Sequence, residues 1–411
     1  ISGSTAANVA TTGVFTIPLM KKNGYSARFA AATEASASTG GQILPPIMGA
    51  AAFVMADVIS TSYLDIISAA LIPALLFYLA IWMSVHFEAK RLGLNPIPKD
   101  QRPTLREGLF NVETLLLPLV VLITMLVLRY TPTTAAVAAY FTAMVLYLVS
   151  PRSQGTLWER VKTLPAALEA GAMTAAMIAV IIGSVAIIAA VISITGLGLK
   201  VSSLILMVSG GDVMVTLLLA MVVAIILGMG LPTVAAYMLA ASVVAAAFVE
   251  AGLPSLSAHL FILYFAILSG VTPPVALAAY IGGAIAGSHW FRTALTATKI
   301  SLGGFLIPFM FVYHPPLLGQ GTKLEIAMAV ASGVLGIIAL AASTIGYFAR
   351  PCSWVERGLL LFAALMLING QAITDVVGIA VIAGIFVWQR YFSHAAKGGR
   401  PLARSPSKEP L

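Results

Sequence analysis

The chain has 411 residues, 60% of them hydrophobic and only 9% charged, with a formal net charge of +8. So much apolar surface cannot be hidden in a soluble core, which excludes a globular enzyme or binding module and indicates a polytopic membrane protein. The basic surplus sits in short connections and a C-terminal tail, where it reads as topology information rather than a nucleic-acid surface.

A polar tip at residues 3–8 leads through an apolar arm, 9–20, to the basic turn Lys21-Lys22-Asn23-Gly24, which with Arg28 is placed in the cytoplasm. Residues 29–59 cross outward with an interruption at 40–46. A span from about 66 to 85 returns to Lys90, Arg91, Lys99, Arg102 and Arg106. Residues 114–128 go out, 135–148 come back to Arg152, Arg160 and Lys162, and 168–194 cross outward again. The Gly- and Ser-rich stretch 195–212 reads as an interfacial connection. A second hairpin follows, with arms 213–227 and 234–249 around a tip at 228–233, and its turn, 250–259, contains no Lys or Arg. Then come residues 260–285, broken at 269–274, and the spans 302–312 and 327–345. Residues 358–388 read as two short crossings parted near 369–371, or as one crossing plus an interfacial helix. The basic tail favours two crossings with a cytoplasmic C-terminus, and its composition beyond Lys397 predicts disorder.

The two interruptions match in position. The first reads Gly40-Gly41-Gln42-Ile43-Leu44-Pro45-Pro46 and the second Ser269-Gly270-Val271-Thr272-Pro273-Pro274. The offset from Pro45 to Pro273, from Gly24 to Gly252 and from Thr5 to Thr233 is 228 residues each time. One hairpin turn is basic and its counterpart is not, so equivalent segments face opposite sides. The fold class is therefore an all-α polytopic membrane protein built of inverted repeats, with two re-entrant hairpins and two broken helices. Residues 1–86 form the C-terminal part of the first repeat and 87–112 a cytoplasmic loop. Residues 113–318 form the second repeat, 322–392 the extra spans and 393–411 the tail. The chain opens Ile1-Ser2-Gly3 inside the first functional turn, and the expectation is the C-terminal part of a longer polypeptide.

Proline lacks an amide hydrogen and clashes with the preceding turn, so each Pro-Pro pair frees backbone groups at membrane depth. Such groups are tolerated only inside protein or beside a polar cavity. Freed carbonyls suit a cation, and helix N-termini suit an anion. The tips add hydroxyls, an amide and glycine carbonyls: Gly3-Ser4-Thr5-Ala6-Ala7-Asn8 and Gly228-Met229-Gly230-Leu231-Pro232-Thr233. Neither tip has a carboxylate, so a bound ion is expected to be monovalent, and sodium fits better than calcium or magnesium. Kinks that only shape packing are the simpler account of one break; two breaks and two tips at one offset argue against it.

Other residues carry less. Glu34 lies within the membrane segment 29–38 and is a candidate coupling residue, although the simpler reading places it near the cytoplasmic interface. Asp57 and Asp65 flank an outer loop, and Glu169 reads as lying near a helix start, where a carboxylate suits the dipole. The five histidines lie mostly near span ends and have no metal-ligand spacing; Cys352 stands alone between Arg350 and Arg357, suggesting a cytoplasmic loop. There is no Gly-x4-Gly-Lys-Ser/Thr phosphate loop. A membrane-embedded enzyme would need a nucleophile–base pair, an Asp pair or a metal set at depth, and only Glu34 is available, so the chain is expected not to be an enzyme.

The stretch 2–57, centred on Gly40-Gly41-Gln42-Ile43-Leu44-Pro45-Pro46-Ile47-Met48-Gly49, resembles the large membrane (M) subunit of tripartite ATP-independent periplasmic (TRAP) transporters. Residues 228–237 and Ser269–Pro274 resemble the same subunit's second hairpin and second broken helix, and the resemblance covers roughly 1–318. The Gly-Gly-Gln variant and the extra spans are similar to fused permeases that work with TAXI-type binding proteins. The resemblance implies an elevator-type, sodium-driven importer of a small carboxylate, such as a C4-dicarboxylate, multi-pass in the bacterial or archaeal inner membrane. It implies a periplasmic solute-binding protein and a small (Q-type) membrane subunit as partners, and no cofactor besides sodium as coupling ion. Carried over by position, Ser4, Thr5, Asn8, Gly40 and Gly41 match one sodium site. Gly228, Gly230, Thr233, Ser269, Gly270 and Thr272 match the other. The solute is expected between them, near Ser4, Asn8, Pro45, Thr233 and Pro273. A binding-protein-independent sodium:dicarboxylate symporter of the same architecture is the alternative.

Overall fold

The computed structural model describes residues 3–95, 112–149, 156–368 and 370–391. The expected tail 393–411, most of the loop 87–112, and Arg152 and Asn369 lie outside the described residues. Four helices make up the described part of the first repeat: α1 (Thr5–Lys22), α2 (Ala27–Gly40), α3 (Ala50–Val58) and α4 (Tyr63–Leu92). The chain continues through α5 (Val112–Val127), α6 (Pro132–Val149), α7 (Leu157–Ile194) and α8 (Leu197–Ser209). The second repeat holds α9 (Val213–Gly228), α10 (Thr233–Glu250), α11 (Ser255–Leu268), α12 (Leu277–Ala286), α13 (Trp290–Ile300) and α14 (Leu302–Tyr313). A 3-10 turn at Pro315–Leu318 leads to α15 (Lys323–Ile345), α16 (Trp354–Met366) and α17 (Ala372–Tyr391). The described residues form no strand, and seven of their helical segments are long and apolar enough to cross a membrane.

Local chemistry sets these boundaries. Ser26 and Ser62 accept the amides of Phe29 (3.2 Å) and Asp65 (3.2 Å), and capping boxes start α7, α15 and α16. Left-handed glycines stop α4 at Gly93, α12 at Gly287 and α15 at Gly346.

The repeat is written into the helix boundaries. Thr5–Lys22 recurs as Thr233–Glu250 and Ala27–Gly40 as Ser255–Leu268, every end displaced by 228 residues. The turns agree as well: Gly24 and Gly252 have φ of 97° and 77°, and Tyr25 N bonds Met20 O (3.2 Å) as Leu253 N bonds Phe248 O (2.9 Å). Both Pro-Pro bonds are cis, and both breaks carry a non-glycine residue with positive φ at the equivalent position, Met48 (49°) and Ala276 (44°).

Packing interlocks the halves. α1 and α2 lie against each other and against α12, while α10 and α11 lie against each other and against α3. The ring of Phe77 on α4 is seated on two glycines: a Cβ on Gly40 would come within 2.7 Å of it, and one on Gly304 would overlap it. Small residues let the first broken helix and α14 approach α4 from two sides. The largest fully buried side chains, among them Tyr237, Tyr264, Phe77, Phe248 and Phe261, lie in this repeat core. α6 and α7 turn most of their apolar side chains outward, as bilayer-facing helices do.

Several elements differ from the sequence reading. The stretch 195–212 is mostly helix, because left-handed Gly196 and Gly210 bracket α8 instead of unravelling it. α7 begins eleven residues before the expected 168, at the Thr156–Glu159 capping box; Glu159 therefore serves the helix start and Glu169 lies well inside. The turn 250–259 closes by Pro254, so His259 is buried inside α11, where Nδ1 lies 2.8 Å from Tyr237 Oη. The loop expected from residue 87 starts only after Gly93, because α4 runs to Leu92 with Glu88 and Arg91 paired at 2.7 Å. The first break extends to Gly49, and the span 302–312 is preceded by α13, separated from α14 only by Ser301.

Candidate functional site

Both tips and both breaks open on one cavity of about 590 Å³. From the first repeat it is lined by Gly3–Ala7, Gln42, Met48 and Ala50; from the second by Gly230–Val234, Ser269, Gly270, Leu277 and Ala278. Thr174 and Met177 of α7 close one side. Four helices begin at its wall: α1 at Thr5, α3 at Ala50, α10 at Thr233 and α12 at Leu277. At the last three, the cap residues Gly49, Pro232 and Ala276 offer no side-chain hydrogen bond; Ala52 N and Ala278 N bond the carbonyls of Gly49 and Gly270, each at 3.0 Å, and the other first-turn amides are left for another acceptor. Ser4 caps α1 through the amide of Ala7 at 3.4 Å. Among the described residues, no charged side chain lines the cavity. Its polarity is that of converging helix N-termini, each worth about 0.3–1 kcal/mol to a nearby anion.

The helix ends that meet this wall from the other direction supply oxygens. α2 and α11 stop at the breaks, where the prolines remove the next donors. Part of the freed backbone is rebonded: Tyr63 Oη donates to Pro46 O (2.8 Å), and Thr298 Oγ1 to Val271 O (3.1 Å). Gln42 O accepts from Gly49 N (2.9 Å) and Gly270 O from Ala278 N (3.0 Å), closing each break on itself.

One side-chain bond joins the tip of the second repeat to the break of the first. Thr233 Oγ1 donates to Gln42 Oε1 at 2.6 Å, while Gln42 Nε2 donates to Gly3 O at 3.3 Å. Gln42 is buried and so ties three of the four loops together. The sequence alone gives Gln42 no role; a lone amide between the break glycines and Pro45 is the available signal.

The expected site residues divide accordingly. Ser4, Thr5, Gly230, Thr233, Ser269 and Gly270 line the cavity. Ser269 Oγ lies 2.9 Å from Gly228 O, locking the second tip onto the second break, and Thr272 Oγ1 donates to Leu268 O at 2.7 Å. Gly228 and Gly40 are packing positions: a Cβ would meet Ser269 Oγ and the Phe77 ring, each at 2.7 Å. Gly41, Pro45 and Pro273 shape the breaks without lining the cavity. Asn8 points away from it, its Nδ2 donating to Ser38 Oγ at 2.8 Å. Glu34 is buried. It accepts hydrogen bonds from Thr12 Oγ1 on one oxygen and from Thr16 Oγ1 (2.5 Å) on the other, and Ser38 Oγ lies 3.2 Å from the first.

A family model described as the tripartite ATP-independent periplasmic transporter, DctM component, matches residues 1–326. The uncharacterized protein y4mL of Sinorhizobium fredii is 26% identical over 189 residues, 46% of this chain and 44% of that protein. The chain thus spans under half the length of this curated relative.

Proposed function

The chain belongs to the DctM component family of tripartite ATP-independent periplasmic transporters, integral proteins of the inner membrane, and on that premise we propose that it is the permease of a sodium-coupled importer of a small carboxylate solute. One observation carries the reading: among the described residues, four helix N-termini and no charged side chain converge on one cavity between the repeats. Such a site binds an anion through backbone dipoles and releases it without breaking an ion pair. Sodium is held by the neutral oxygens beside it: hydroxyls and carbonyls around Ser4, Thr5 and Gln42 on one side, and around Thr233, Ser269 and Gly270 on the other. Bound cations offset the solute's charge, which is the physical basis of coupling.

The two repeats face opposite sides of the membrane on the charge rule, since the turn at Lys21 is basic and the turn at Gly252 has no Lys or Arg. Hairpins and broken helices then carry the cavity across as a unit, in an elevator motion against α4, α14 and the outer helices. The solute comes from a periplasmic binding protein, of TAXI type on the Gly-Gly-Gln break and the extra spans, and a small membrane subunit completes the transporter.

The test is uptake into proteoliposomes by the full transporter. Uptake of the solute held by the cognate binding protein should require both that protein and an inward sodium gradient. Equal uptake with choline replacing sodium removes the ion assignment, and robust uptake without the binding protein favours the symporter alternative.

A further inference from the structure

Three carboxylates are buried among the described residues outside the cavity: Glu34, Glu88 and Glu356, with 8%, 6% and 7% exposure. Two are neutralised by arginine, Glu88 by Arg91 at 2.7 Å and Glu356 by Arg350 at 2.8 Å. Glu34 forms no ion pair with any described residue. Its surroundings are hydroxyls: Thr12 and Thr16 from α1, and Ser38 one turn along α2, itself bonded to Asn8. Burial of an unpaired carboxylate is costly unless a cation or a proton neutralises it.

The repeat supplies an internal control. At the 228-residue offset, Asn8, Thr12, Thr16, Glu34 and Ser38 correspond to Ala236, Ala240, Val244, Ile262 and Ala266, all apolar and almost fully buried. At these five positions the same pair of helices, with the same boundaries, therefore packs through apolar side chains alone in the second repeat, whose own polar contact, Tyr237 Oη to His259 Nδ1 at 2.8 Å, falls at the equivalents of Val9 and Ala31. The polar cluster is not what holds a hairpin arm to a broken helix, and a buried polar network kept where an apolar one would serve marks a function.

We propose that Glu34, with Thr12, Thr16 and Ser38, is a proton-binding site set between the first hairpin arm and the first broken helix, adding a proton to the ions that drive the transporter. Hydrogen counting supports a proton over a metal ion. Each threonine hydroxyl has one hydrogen and two acceptors in reach: Asn8 O (2.8 Å) or Glu34 for Thr12, Thr12 O (3.1 Å) or Glu34 for Thr16. With Glu34 ionised, both threonines and Ser38 donate to it. With Glu34 protonated, the acid donates to one threonine, which turns its own hydrogen to the helix carbonyl. Both states are fully bonded with no atom displaced. Thr16 Oγ1 and Ser38 Oγ lie 2.5 and 3.2 Å from the carboxylate, separations that a cation could enter only by parting them. The proton comes from water on one side, forms the O–H bond on Glu34, and returns to water on the other; no other bond changes.

The ionisable groups on elements packed against this pair are few. α1 and α2 carry Lys21, Lys22 and Arg28 at the turn, and α12 and α13 carry Tyr280, Arg292 and Lys299. On α4 are Tyr63, Asp65, Tyr78, His86, Glu88, Lys90 and Arg91. None is hydrogen-bonded or ion-paired to Glu34: Lys21 Nζ donates to Ala286 O (3.0 Å), and Tyr78 Oη to Ala37 O (3.0 Å).

The inference rests on the transporter reading, and the experiment separates the two. The infrared absorption of a protonated carboxyl in the full transporter, followed as pH is varied in detergent, should include a component lost in Glu34→Gln. The variant carrying the second repeat's residues (Thr12→Ala, Thr16→Val, Glu34→Ile, Ser38→Ala) should fold and also lack it. In proteoliposomes at a fixed sodium gradient, an added inward proton gradient should raise wild-type uptake several-fold and leave Glu34→Gln unresponsive. An infrared titration unchanged by Glu34→Gln, or an equal response to the proton gradient, overturns the proton site whatever sodium does. Absence of sodium-driven uptake overturns the sodium reading and leaves the infrared result to decide on Glu34.

Discussion

Thr233→Val keeps the shape of the side chain at the second tip and removes one hydroxyl. Gln42 Oε1 would then lose its 2.6 Å donor while Nε2 stays bound to Gly3 O, so the amide cannot turn without breaking its other bond. An orphaned buried acceptor costs about 1–3 kcal/mol. If that bond is made only when the tips close around bound ions, the cost falls on the ion-bound state. The sodium concentration for half-maximal uptake then rises by about 5- to 150-fold. The assay is sodium-dependent uptake by the reconstituted full transporter. A double-mutant cycle with Gln42→Met sharpens it, because removing both partners leaves no orphan and the combined effect should fall at least about 0.5 kcal/mol short of the sum. Additive effects, or an unchanged sodium dependence in Thr233→Val, would refute the bridge as part of the ion-bound state.

Three further outcomes follow from close contacts and local chemistry. Gly228→Ala places a Cβ 2.7 Å from Ser269 Oγ; overpacking of about 1–3 kcal/mol should lower the thermal midpoint in detergent, and Ser269→Gly should restore part of it. Gly40→Ala drives a Cβ into the Phe77 ring at 2.7 Å and should destabilise similarly; stability equal to wild type, or no relief from Phe77→Leu, contradicts the packing role. Burial pushes the Cys352 thiol above its ordinary value, outweighing the hydrogen bond from Gln389. A raised value means less thiolate at neutral pH, so maleimide labelling in the folded protein should be slower than for a free thiol and quicken as pH rises; labelling at the free-thiol rate at neutral pH contradicts it.

The repeat, the two breaks and the two tips were legible in the sequence because proline and glycine act through the backbone, where their effect needs no knowledge of neighbours. Thr5, Gly24 and Pro45 announced the offset that the helix boundaries of α1, α2, α10 and α11 then followed. What long-range packing decides was not legible. Gln42 gains its role only when Thr233 and Gly3 arrive from other loops. Gly40 reads as a ligand by position, and Phe77 turns it into a contact. The Glu34 cluster had a signal that went unused: Asn8, Thr12 and Thr16 repeat every four residues along α1, as Glu34 and Ser38 do along α2, and two polar stripes on helices joined by a short turn face each other. α8 was hidden because its flanking glycines look like loop and act as caps.

The central claim is that sodium and solute bind in the cavity between the tips and the breaks. Equilibrium binding of radioactive sodium to the purified full transporter tests it directly, comparing Thr233→Val with Thr344→Val, the same change on α15, where the hydroxyl reaches carbonyls of its own helix, Leu340 O at 2.9 Å and Ala341 O at 3.0 Å. Weakened binding in Thr233→Val and wild-type binding in Thr344→Val are expected. Equal affinity in both would contradict it.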